Sequence, residues 1–137
     1  MPYDLREHTA DVAVEATADS LGGVFAAVAD GMAAAMCDPP YPDDGERFAV
    51  DLTAASRERL LYDYLDQLIY ERDVRGVLPV DNEATVTTTN DGWAVEGSAR
   101  GVPLSSVHAR DLKAVTYSEM SLEETVDGWE AYVVFDV

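Results

Sequence analysis

From Val12 onward the chain alternates apolar with small or polar residues, and this period of two predicts a strand over residues 10–18. Val12 and Val14 fall on one face, with Asp11, Ala13 and Glu15 on the other. Asp19 or Ser20 then offers a helix cap. Leu21, Val24, Phe25, Val28, Met32, Ala35 and Met36 recur at helical spacing, which predicts a helix from Leu21 to Met36. Gly22, Gly23 and Gly31 weaken that helix intrinsically, so packing must hold it. Asp38-Pro39-Pro40 stops it, and a loop runs to about Gly45.

The pattern then repeats. Phe48, Val50 and Leu52 alternate as a second strand, and Thr53 to Ser56 caps a second helix over 57–73. The apolar stripe of that helix is Leu60, Leu61, Tyr64, Leu65, Leu68 and Ile69, and Arg75-Gly76 ends it. Strands follow over 83–89, 93–99, 111–124 and 129–137. Asn90-Asp91-Gly92 and Asp127-Gly128 supply hairpin turns, and a break falls at Gly101 to His108. The expected fold is therefore α+β: two helices packed on a mostly antiparallel, hairpin-rich β-sheet, in one domain over residues 1–137.

Composition leaves this picture intact and narrows the function. Hydrophobic residues make up 47% of the chain, which suits a folded domain and not an acidic tail. No apolar run approaches the roughly 20 residues that cross a bilayer. The start, MPYDLREH, lacks a basic segment followed by an apolar one, so the expectation is a soluble cytoplasmic protein. The single cysteine, Cys37, reads as a small buried hydrophobe at the helix end. With 27 acidic residues against 9 basic ones the net charge is −18, and the acids are scattered instead of blocked. That reads as the solvated surface of a halophile, with an acidic mimic of nucleic acid as the other reading. Direct binding of nucleic acid is not expected, because no basic stripe is present to displace counterions.

The usual catalytic signatures are missing. Gly22-Gly23 lies inside an apolar helix without the lysine of a phosphate loop, and no GxSxG elbow occurs. Two histidines, His8 and His108, are too few for a multi-histidine metal centre. Oxygen chemistry remains. Asp11 opens the first predicted strand and Asp136 ends the last, beside the terminal carboxylate of Val137. If those strands run antiparallel side by side, the three carboxylates converge, and such a cluster needs a cation or a proton. Hard oxygen donors favour Ca²⁺ or Mg²⁺, and an irregular set suits Ca²⁺. In so acidic a chain carboxylates also meet by chance, and a lone histidine such as His8 is more often a surface residue than a ligand. Lys113 is the only lysine beside eight arginines. It marks either a position where guanidinium will not substitute or a residue left by drift.

Four blocks carry a resemblance: HTADV at 8–12, LLYDYLDQLIY at 60–70, LKAVTY at 112–117 and VVFDV at 133–137. Together they resemble the signature of the archease family, in its order and across the whole chain. The acidity adds the expectation of a halophilic archaeal source. The resemblance implies an accessory protein that activates the GTP- and Mn²⁺-dependent tRNA-splicing RNA ligase. It would promote guanylylation and multiple turnover without being an enzyme itself. It also implies metal binding, expected as Ca²⁺ with Mg²⁺ or Mn²⁺ as substitutes, at Asp11, Asp136 and Val137. His8 and Lys113 would then serve activation of the partner. Many members carry a histidine after the tyrosine where this chain has Ser118, so no role passes to that position. Two rival readings remain: a metal-dependent phosphoester hydrolase with His8 as its base, and a general chaperone or RNA-processing adaptor.

Overall fold

The computed structural model describes residues 2–8 and 11–137, with the side chains of residues 6–8 outside the description. Seven strands and two helices alternate as β1 (Tyr3–His8), β2 (Asp11–Ala18), α1 (Leu21–Met36), β3 (Glu46–Ala54), α2 (Arg57–Arg75), β4 (Val77–Thr89), β5 (Gly92–Pro103), β6 (Ala114–Thr125) and β7 (Gly128–Asp136). A one-turn 3-10 helix, Leu104–Ser106, follows β5. All strand pairs are antiparallel, as the alternation and hairpin turns predicted.

The strands form two sheets where the sequence led us to expect one: β1-β2-β7-β6 and β3-β5-β4. Each helix contacts strands of both sheets, so the apolar faces meet across the helices in one continuous core. The strand periodicity is the same in either arrangement; it fixes which face is buried and not which strands pair. Three further differences have local causes. β1 was not foreseen, because YDLREH has little apolar alternation and is held as an edge strand by pairing with β2. The segment before β6 is irregular up to Lys113, where a strand from residue 111 was expected. Cys37 is the half-buried cap residue after α1 and not a core position.

Both helix starts are capped as expected, by Ser20 Oγ accepting from the Gly23 N–H and Ser56 Oγ from the Arg59 N–H. α2 runs two residues beyond the expected end to Arg75, and Gly76 closes it in the left-handed conformation at φ 64°. α1 approaches the second sheet closely at Gly22, where an added Cβ would clash with the Ala84 carbonyl oxygen and lie 2.9 Å from Thr85 Cα. A second link is polar. Asp30 Oδ1 accepts from the backbone N–H and the side-chain amide of Asn82, at 3.0 and 2.8 Å, where β4 is irregular between Val80 and Glu83.

Two predictions follow from these links. Gly22→Ala should gain about 1 kcal/mol from helix propensity, yet the clash is with backbone, and overpacking typically costs about 1–3 kcal/mol. A net loss in urea denaturation is therefore expected, and a gain would show that α1 does not sit this close to β4. The second concerns Asp30, whose carboxyl is raised above the usual range, chiefly by burial, against the lowering effect of Asn82. The folded state thus holds this proton more tightly than the unfolded chain. Its stabilising contribution is present below the ordinary carboxylate value and is lost as pH rises through the raised one. Asp30→Asn keeps the acceptor oxygen and removes the charge. The stability of the native protein relative to this variant should fall as pH rises through that window; parallel urea midpoints would contradict it.

Candidate functional site: the β2–β7 tip

β2 and β7, the second and last strands of the chain, are neighbours in the middle of the four-stranded sheet. Their register runs from Asp11 opposite Asp136 to Ala18 opposite Trp129. Val12 and Val14 point into the core with Val133 and Phe135, which fixes the alternate positions on the other face. Directly opposed residues hold their Cβ atoms about 5 Å apart, so two half-buried aspartates stand side by side at one end of the sheet.

The electrostatics of the pair follow from that placement. The Asp136 carboxyl is raised above its usual range, first because Asp11 shares a hydrogen bond with it, then through desolvation and the Asp11 charge. Lys113 acts in the opposite direction and lowers it. Two carboxylates opposed in this way favour a shared proton or a bound cation. The set consists of hard oxygen donors, as a Ca²⁺ or Mg²⁺ ligand set does. Among the described residues, no three His, Cys, Asp or Glu side chains are grouped to hold a metal ion. Val137 adjoins the pair, half-buried with its side chain against the core.

Lys113 arrives at the same end because Ala114, the first residue of β6, also pairs with Asp136. The Lys113 N–H donates to the Asp136 carbonyl at 2.8 Å, and its side chain is exposed. On the other side of that peptide, the Leu112 carbonyl accepts from Arg72 Nη1 at 2.8 Å. Arg72 is 7% exposed. Its guanidinium also contacts Asp73 at 2.9 Å, Asp111 at 3.5 Å and the Met36 sulfur at 3.3 Å. Arg110 binds the end of α1, its backbone N–H to the Met36 carbonyl and its Nε to the Ala35 carbonyl, both at 2.8 Å.

The structure thus brings Asp11, Asp136 and Lys113 together, with Val137 next to Asp136 in the chain. His8 pairs with Asp11 through the backbone register, while its side chain lies outside the described residues. Ser118 is exposed in the irregular stretch of β6 between Thr116 and Ser121. His108 is exposed and lines a shallow cleft of about 370 Å³ with Cys37 and Arg110. Sequence reasoning missed Arg72 and Arg110. For Arg72 a signal existed: four residues after Leu68, it continues the buried stripe of α2, where a charge is out of place without a partner. Arg110 carried none, since it lies in irregular chain.

The Archease protein family model matches residues 3–137. Protein archease of Pyrococcus abyssi is 30% identical over 135 residues, covering 96% of this chain and 95% of the relative. That of Methanosarcina acetivorans is 32% identical over 139 residues, covering 98% and 95%. Among solved structures, the solution structure of a Methanobacterium thermoautotrophicum protein matches with a TM-score of 0.86 at 27% identity, over 99% of both chains. A crystal structure of a Thermotoga maritima archease, called there a possible chaperone, matches with a TM-score of 0.66 at 21% identity, over 96% of this chain and 94% of that one, a likeness of fold alone. With a family match over nearly its whole length, the chain belongs to the archease family.

Proposed function

We propose that this protein is an accessory factor of the GTP- and Mn²⁺-dependent tRNA-splicing RNA ligase, promoting its guanylylation and multiple turnover and performing no ligation itself. Family membership supports this reading, and one observation gives it a working part: the Asp11–Asp136 pair with Lys113 beside it. In this reading Asp11, Asp136 and the carboxylate of Val137 hold a divalent cation, Ca²⁺ in the first instance with Mg²⁺ or Mn²⁺ as substitutes. The bound ion would neutralise the tip and let it dock at the nucleotide and metal site of the ligase. Lys113 balances the remaining anionic charge and reaches toward phosphate groups there. His8, paired with Asp11 through the backbone, is assigned to the same docking end. What such a tip contributes is alignment of groups that already react in the ligase, through fixed charges in a site sheltered from water. The overall charge of −18 gives no reason for the chain to bind RNA directly, so RNA is reached through the ligase.

A ligation time course with substoichiometric ligase tests the reading. Added protein should convert one turnover into many, and a time course that still stops after one round would defeat the proposal. Asp11→Ala/Asp136→Ala, confirmed as folded by circular dichroism, should leave the ligase at a single round. Normal turnover with that variant would dissociate the tip from activation. A cation held only by the folded tip stabilises the fold by mass action, about 2.7 kcal/mol at one hundred times its dissociation constant. Ca²⁺ should therefore raise the melting temperature of the native protein and leave the double variant unmoved, and equal shifts in both would place the cation elsewhere.

A further inference from the structure

The peptide group joining Leu112 to Lys113 is held at both ends. Its carbonyl accepts from the buried Arg72 guanidinium at 2.8 Å, and its N–H donates to the Asp136 carbonyl at 2.8 Å. Fixing both ends of this peptide plane places the Lys113 Cα, and the pairing of Ala114 with Asp136 holds the chain on the other side, so together they set the direction in which the Lys113 side chain leaves the backbone. Leu112 itself is fully buried and Lys113 is exposed, so the clamp sits where the chain passes from core to tip.

We propose that Arg72 is a positioning residue for Lys113: its guanidinium holds the Leu112–Lys113 peptide so that the Lys113 ammonium stands beside the Asp11–Asp136 pair. This rests on the ligase-activation reading of that tip. Three features carry the assignment. A charged group is buried on the otherwise apolar stripe of α2, a position that stability alone fills better with leucine or methionine. Its donors reach three separate elements: Leu112 and Asp111 ahead of β6, Met36 at the end of α1, and Asp73 on its own helix. A planar guanidinium can serve these directions together, which a single ammonium cannot. Arg110 pins the preceding residues to α1, so the segment from 110 to 113 is held against both helices before it reaches the tip.

The test combines amide exchange with a split of the activation curve, using Arg72→Met in the full chain. The Lys113 amide should exchange faster relative to that of Val14, in the core of β2, by about tenfold, the scale of one hydrogen bond to a charged group. In the ligase assay the plateau rate at saturating protein should fall. A variant that is merely less stable would reach the native plateau once more of it is added. Arg72→Met/Lys113→Met should then be no worse at the plateau than Lys113→Met alone, because both remove one function. Additive losses, or unchanged protection of the Lys113 amide in a folded Arg72→Met protein, would overturn the proposal. Should Arg72→Met fail to fold, Arg72→Lys is measured in its place. It should show the same faster exchange and lowered plateau, and native values for both would overturn the proposal equally. The exchange measurement needs no ligase. If the native protein fails to raise ligase turnover, the activation reading falls by that result, while the positioning of Lys113 stands or falls on exchange.

Discussion

The pairing of β2 with β7 is the constraint on which both the core and the tip depend. It joins a strand near the start of the chain to the last one, and it sets Val12 against Phe135 and Asp11 against Asp136 in the same register. Side chains alternate along a strand with a period of two, so a slip of one residue would turn Val12 and Val14 to the other face of the sheet and separate the aspartates together. The burial that stabilises this sheet therefore also specifies the carboxylate pair. The valines and Phe135 hold the register, and the aspartates inherit their positions from it. The like-charge contact at the end of the ladder is a local cost that the rest of the ladder can sustain.

The helices transmit that order to the second half of the tip. α1 leaves β2 at Ser20 and returns to the Asp11 end at Met36, where its last carbonyls accept from Arg110. α2 ends at the same side, close enough for Arg72 to reach Leu112. Because each helix also contacts both sheets, a shift of α1 away from β4 would move the Met36 end to which Arg110 is tied. The close contact at Gly22 and the Asp30–Asn82 bonds thus bear on the tip, although they lie away from it.

Much of this was legible in the amino-acid sequence because it is local. Helical spacing of Leu, Val, Phe and Met gave α1 its exact bounds, and the cap candidates Asp19 or Ser20 and Thr53 to Ser56 placed the starts of both helices, where Ser20 and Ser56 are the residues that cap. The turns at Asn90-Asp91-Gly92 and Asp127-Gly128 gave the two long hairpins. The meeting of Asp11 with Asp136 was legible only conditionally, on the assumption that their strands pair. The separation into two sheets was not legible, since strand alternation records which face is buried and carries no information about partners. β1 escaped for a related reason: it is an edge strand held by backbone pairing with β2, and Tyr3 packing on the core is too short an apolar pattern to mark a strand. Arg72 could have been found as a charge on an apolar stripe. Arg110 could not, because its hydrogen bonds run to the end of a helix distant in sequence.

The acidity of the chain bears on how such a tip can act. With 27 acidic residues spread over the whole chain, two more carboxylates add little to the long-range field. The tip is distinguished at short range by two carboxylates opposed in register, an ammonium beside them, and a backbone that holds all three. At about 1 M salt the screening length shrinks to about 3 Å, and contact geometry then outweighs steering. Recognition that survives screening has to be built from groups already placed before the encounter. Here the backbone does most of that placing: two opposed positions of a central strand pair set the aspartates side by side, and the hydrogen-bonded Leu112–Lys113 peptide with the pairing of Ala114 sets where the lysine leaves the chain. The flexible length of the exposed lysine side chain is then the main freedom left at the tip.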